Sequence, residues 1–231
     1  MKKFIRTHDK LYLNENRYEN TKESFKYLVK LIEKDIKKTK KYTLLDVGCS
    51  NGEIIYFLKK KFKNFHFTGV DIRNDLLKKA KNNLGDDIVL IKKDIFKDYL
   101  KKKFDFVICS GVIGINDNPK KFLMNLNKMK KKLGYIYLFH HFNEYKFNVY
   151  IKYENINKLS YLESGWNIFS LDYIKNIFKS HKVNFYKFFI NKKINPNKKD
   201  LIRSWTIKYN NKNYFTNGLN ILLNQYWIKI K

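Results

Sequence analysis

The residues best suited to chemistry stand where apolar runs end. Leu44-Leu45-Asp46-Val47 passes directly into Gly48-Cys49-Ser50-Asn51-Gly52. Glycines after a strand let the backbone turn tightly and approach a ligand closely. Asp71 ends the next apolar run, roughly the ~20 residues past such a loop where dinucleotide folds place an acid for ribose hydroxyls. Two hydroxyls need two acceptors, and an ionised carboxylate supplies them. Asp71 also reads as a helix N-cap. Asp94 and Ser110 end two later runs, and the adjacent pair His140-His141 ends another. An imidazole there can take a proton near neutral pH. The loop itself fits two other chemistries in part. A nicotinamide fingerprint needs G-x-G-x-x-G, and no third glycine follows Gly52. Gly48-x-Ser50-x-Gly52 matches the G-x-S-x-G of a hydrolase elbow. Such an elbow follows several strands, whereas mainly helix precedes this one, and no His-Gly-Gly segment is present.

The elements that must hold these residues follow from periodicity. Residues 20–38 carry Phe25, Leu28, Leu31, Ile32 and Ile36 at helical spacing. Strands are expected at 42–47, 65–70, 88–92, 104–109 and 134–139, with helices at 54–62, through Leu76, Leu77 and Ala80, and at 120–132. The fourth run is nearly continuous in apolar residues, as a strand buried on both faces should be. Strands alternating with helices predict an α/β fold with a parallel, doubly wound sheet. The run Lys128–Lys132 reads as a solvated helix end, where cations suit the helix dipole. After residue 141 the texture changes. Residues 143–165 lack a clear period and read as a cover over the sheet. A helix is expected at 171–181, a strand at 183–190, a loop at 191–199, a hairpin over 204–216 and a final strand at 225–230.

The segment Asp46-Val47-Gly48-Cys49-Ser50-Asn51-Gly52 resembles motif I of class I S-adenosylmethionine (SAM)-dependent methyltransferases, with Ser50 in place of the usual middle glycine. The likeness spans residues 41–140. It implies a Rossmann-like, mostly parallel seven-stranded sheet in a single domain: an N-terminal helical cap (1–40), a SAM-binding core (41–140) and a C-terminal substrate-covering region (141–231). It further implies SAM as cofactor and S-adenosylhomocysteine as product. By that resemblance Asp46, Gly48, Cys49, Ser50 and Gly52 form the cofactor loop, and Asp71 with Ile72 meets the ribose. Asp94 takes the adenine amino group, Ile95 packs on the ring, and Ser110 meets the methionine part. In related enzymes the N-terminal segment closes over the cofactor, which points to Tyr12 or Arg17.

Methyl transfer is an in-line displacement, so the protein mainly positions the nucleophile. An oxygen nucleophile also benefits from a base. His140 and His141 are the candidates, one expected to face the site and the other away. Glu144 and Glu163 are weaker ones, and His8, His66 and His181 read as structural. Methyltransferases acting on base amines typically carry Asn/Asp-Pro-Pro-aromatic after the fourth strand. This chain has Cys109-Ser110-Gly111-Val112-Ile113, which argues against base N-methylation. Residues 163–170, 201–206 and 217–219 resemble methyltransferases encoded among bacterial surface-polysaccharide genes. That implies O-methylation of a sugar-linked acceptor met by Trp166, Asn167 and Arg203.

The formal net charge of +28 suggests an anionic partner. Only four of the 49 basic residues are arginines, however, and Ala80 is the only alanine. Lys, Asn, Ile, Phe and Tyr have AT-rich codons, so genome bias explains the charge. Nucleic-acid readers favour Arg for its bidentate fork. An RNA-directed methyltransferase or RNA-binding protein is the alternative reading. Two cysteines, Cys49 and Cys109, build neither a disulfide framework nor a metal cluster, though the expected fold could bring them close together. No apolar run reaches the ~20 residues of a membrane span, and no signal segment is visible, so a cytoplasmic protein is expected.

Overall fold

The computed structural model describes residues 3–5, 12–14, 17–37, 39–156, 161–198 and 200–231. In chain order the elements are β1 (Lys3–Ile5), α1 (Glu23–Glu33), β2 (Tyr42–Val47), α2 (Glu53–Lys61), β3 (Phe65–Asp71), α3 (Asn74–Leu84), β4 (Val89–Lys92), β5 (Phe104–Ser110), α4 (Lys120–Met129), β6 (Lys130–Asn143), β7 (Lys152–Glu154), β8 (Tyr161–Ser164), β9 (Phe169–Ser170), α5 (Leu171–Ile177), β10 (Val183–Phe188), β11 (Trp205–Tyr209), β12 (Lys212–Thr216) and β13 (Gln225–Ile230).

The central sheet runs β10-β13-β6-β5-β2-β3-β4, with β9 added beside the end of β6. Only β13 is antiparallel to its neighbours on that path. Side chains alternate across a strand, and the core divides accordingly. Leu44, Tyr137 and Trp227 pack with α1 and α2 on one face. Leu45, Leu138 and Ile228 pack with α4 and α5 on the other. The two cysteines fall in different layers, Cys49 in the first and Cys109 in the second, each a free thiol.

Two expectations are corrected. The helix expected to reach Lys132 stops at Met129, and Lys130 to Lys132 open β6. Backbone pairing of Lys130 with Phe104 overrides the charge pattern. Lys130 is 8% exposed, and burial lowers its ammonium pKa, so it is no solvated helix end. The residues expected to form an irregular cover instead include β7 and β8, which pair antiparallel, while β8 pairs parallel with β1. No described helix is long and apolar enough to cross a membrane.

β6 is the longest strand, at 14 residues. It carries the chain past the sheet's carboxyl edge, so that His140 and His141 stand beyond Ser110, whose partner is Phe139. Tyr137 and Lys229 both bond Asp35 beyond the end of α1, and Trp227 donates to the Ser24 carbonyl at 3.2 Å. These ties fix α1 across the same edge.

Candidate active site

The loop after β2 takes three left-handed steps. Gly48, Ser50 and Gly52 have φ of +73°, +52° and +86°. A Cβ on Gly48 would lie 2.3 Å from Val112 Cγ2, so glycine is required by space as well as by φ. Ser50 tolerates a conformation that favours glycine, and its Oγ is buried without a hydrogen-bond partner. The loop is tied down by its backbone. Gly48 and Cys49 donate to the Val70 carbonyl at 2.8 and 3.0 Å. Ser50 donates to Asp71 Oδ2 at 2.9 Å, and Arg73 to Asp71 Oδ1 at 2.9 Å. A carboxylate offers about four lone-pair sites, so Asp71 retains acceptor capacity after these two bonds.

A cavity of about 560 Å³ opens at the carboxyl edge of the sheet. Its wall holds Gly48, Cys49, Ser50, Asp71, Ile72, Asp94, Ile95 and Ser110 from the expected cofactor set. Asp94 is shaped by the Phe96 amide, which donates to Oδ1 at 3.0 Å. Asp46 and Gly52 are off the wall. Asp46 is 2% exposed beneath the loop, and burial, reinforced by the nearby Asp71 charge, pushes its carboxyl up to about 8. Burial, then Asp46 and Asp71, holds the Cys49 thiol well above its usual range, so it is no nucleophile at neutral pH. The cradle fits SAM: a backbone loop free of a Cβ at Gly48, a carboxylate for the ribose at Asp71, and a second at Asp94 for the adenine amino group.

His140 and His141 are both among the residues that line the cavity. His140 is 4% exposed, and its Nε2 lies 3.2 Å from the Asn167 carbonyl. A carbonyl only accepts, so Nε2 carries a proton. His141 keeps some surface, but its Nδ1 is enclosed without a partner. Burial pulls its pKa down to about 4, so it is neutral at physiological pH.

The expected acceptor contacts separate. Trp166 is on the wall, whereas Asn167 and Arg203 are not. Asn167 is fully buried and spent on structure. Its Nδ2 donates to Asp117 at 2.7 Å, and its Oδ1 accepts from the Ile151 amide at 2.9 Å. Arg203 pairs with Asp200 at 2.9 Å. Glu144 is off the wall, where it accepts from Tyr226 and from Lys187 at 2.6 Å. Glu163 is buried in β8. His66 is exposed on β3, His181 packs edge-on against Phe178, and His8 lies outside the described residues, as do Lys10, Leu11, Glu15 and Asn16 of the N-terminal segment. Tyr12 is on the wall, while Arg17 approaches Glu53 at 4.0 Å.

Sequence reasoning missed Lys22, Phe25, Ser204 and Gln225 on the wall. Ser204 falls within the 201–206 segment already singled out, where Arg203 was the residue given a role. Lys22 is one lysine among dozens and carries no distinguishing signal.

A profile described as a methyltransferase domain matches residues 38–192. The malonyl-[acyl-carrier protein] O-methyltransferase of Anoxybacillus flavithermus is 29% identical over 107 residues, which is 46% of this chain and 41% of that protein. The probable (S)-tetrahydroprotoberberine N-methyltransferase 2 of Papaver bracteatum is 28% identical over 89 residues, 37% of this chain and 25% of that protein. The matched stretches thus span less than half of these relatives. Among solved structures, a DhpI–SAH complex superposes with a TM-score of 0.56 at 9% identity, covering 96% of this chain and 94% of that one. Coclaurine N-methyltransferase bound to N-methylheliamine and SAH gives 0.55 at 15% identity, covering 81% and 62%. At such identities these structures share the fold.

Proposed function

The chain belongs to the methyltransferase-domain family, and on that premise we propose that it methylates an oxygen of a small, sugar-linked acceptor at the expense of SAM, leaving S-adenosylhomocysteine. The observation that carries this reading is the convergence of four strand ends on one cavity, with two imidazoles among its lining residues. When bound, SAM supplies a methyl carbon made electrophilic by its sulfonium.

The residues divide the remaining work. Asp71 accepts the ribose hydroxyls, Asp94 accepts the adenine amino group, and Ile72 and Ile95 border the ring. Loop amides and Ser110 hold the methionine part. His140, whose Nε2 lies against the Asn167 carbonyl, is the base that takes the acceptor's hydroxyl proton. His141 is neutral and adds no positive charge beside a sulfonium. Trp166 offers a flat apolar face, and Ser204 a hydroxyl, to a sugar ring. Residues 1–40 act as a cap, 41–140 as the SAM-binding core and 141–231 as the acceptor region. The likeness of residues 163–170, 201–206 and 217–219 to surface-polysaccharide methyltransferases favours a cytoplasmic precursor of such a polymer.

Titration calorimetry with SAM tests the reading. Wild-type protein binds, and Asp71→Ala does not. Undetectable binding by the wild type overturns it. His140→Asn then lowers kcat while SAM affinity is retained, and equal loss of both counts against its role as base.

A further inference from the structure

Charge is distributed unevenly around the cavity. The described carboxylates on its wall, Glu53, Asp71 and Asp94, all belong to the glycine loop or the strand ends beside it. The wall also holds Lys22, Phe25, His141, Trp166, Ser204 and Gln225 from other elements, which include no acid. Three cations reach the described wall. Arg73 is paired with Asp75 and Lys93 with Asp98. Lys22 has no ion pair among the described residues. Its ammonium lies 5.5 Å from the ring centroid of Phe25.

The place of Lys22 is fixed by packing. It stands immediately before α1, with extended backbone and no side-chain cap bond. Ser24, two residues on, accepts from Trp227, whose ring lies 4.8 Å from Phe139. Phe139 shares its strand face with His141, two residues further along β6. Trp227 thus ties the start of α1, next to Lys22, to the strands that carry His141 and Gln225.

We infer that the acceptor carries an anionic group, a carboxylate or a phosphate, which pairs with Lys22 while its hydroxyl is presented to the imidazoles. A half-buried ammonium beside an aromatic face, with no carboxylate of its own, gains most from an anionic ligand. The histidines, Ser204 and Gln225 supply hydrogen bonds for hydroxyls without repelling that group. The overall positive charge draws the same class of ligand towards the cavity. The inference rests on the methyltransferase reading and narrows its acceptor from sugars in general to sugar acids or sugar phosphates.

The test is calorimetry on the full chain saturated with S-adenosylhomocysteine, using glucuronate, glucose 1-phosphate and glucose as probes. At least one anionic probe binds about tenfold or more tighter than glucose, the size expected for a charge-assisted contact. The carboxylate and phosphate arms tell the two sources apart. Lys22→Gln removes the preference. Lys26→Gln removes the same charge one turn along α1, where Lys26 pairs with Glu23 off the wall, and leaves the preference intact. Three probes that behave alike, or a Lys22→Gln variant that keeps the preference, overturn the inference. Failure to bind S-adenosylhomocysteine at all overturns the methyltransferase reading instead.

Discussion

Part of the cavity wall comes from residues 47–51, 53–54, 71–73, 76, 93–96 and 110–112, at strand ends and the turns after them, whereas another part draws on residues 22, 25, 139–141, 166, 204 and 225. The first wall is shaped by backbone. Its amides bond Val70 and Asp71, and its left-handed residues follow directly from the sequence of the loop. The second is shaped by side chains that arrive from separate elements and are held by distant ties such as Trp227 to Ser24. A wall made of local turns can hold one invariant ligand while the opposite wall changes. On the proposed function, the cofactor and the acceptor are recognised by regions with different tolerance to substitution.

Substitution in the backbone wall should do the most damage. Gly48→Ala forces a Cβ against Val112 at 2.3 Å in a left-handed conformation, so the loop must move. Strain of this kind costs a few kcal/mol, and SAM affinity is expected to fall roughly 100-fold by calorimetry. Retained affinity would mean that the loop adapts as freely as the side-chain wall.

Asn167→Ala is expected to separate stability from binding. It leaves the buried Ile151 amide without its partner, while Asp117 keeps Lys152 at 2.6 Å, so the urea midpoint should drop by an amount equivalent to about 1–3 kcal/mol. SAM affinity should hold. Loss of acceptor binding with unchanged stability would return Asn167 to the cavity wall.

The two walls also predict opposite pH limits. His141 has a folded pKa near 4, below its usual 6.5, so its contribution to stability is complete above about 6.5 and is lost as pH falls through about 4. Asp46 has a folded pKa near 8, above its usual 3.8. Its contribution is complete below about 4 and is lost as pH rises through about 8. Thermal melts across pH should show both arms, His141→Phe flattening the acid one and Asp46→Asn the alkaline one. The smallest effect is expected from Arg203→Ala. Its partly exposed pair with Asp200 contributes under ~1 kcal/mol, so SAM binding and turnover stay level in a standard assay.

The sheet was legible because its strands are buried runs bounded by turn residues, and β2, β3 and β5 start and stop within a residue or two of the pattern. The start of β6 was not. Lysines look solvated in any local window, and only pairing with Phe104 makes Lys130 part of a strand. The hairpin of β11 and β12 was readable from Asn210-Asn211, both of which adopt positive φ.

What the sequence determined by itself is the cofactor wall, because a glycine loop after a strand and an acid at the next strand end act through neighbours in the chain. What only the tertiary structure decided is the acceptor wall. Trp166 and Asn167 are adjacent in sequence, yet one lines the cavity and the other is buried against Asp117 and Ile151. Which residue does which depends on the bridge between Val149 and Ile168 and on the bond from Asn167 to Gly114. Those contacts join segments far apart along the chain, and no local pattern records them.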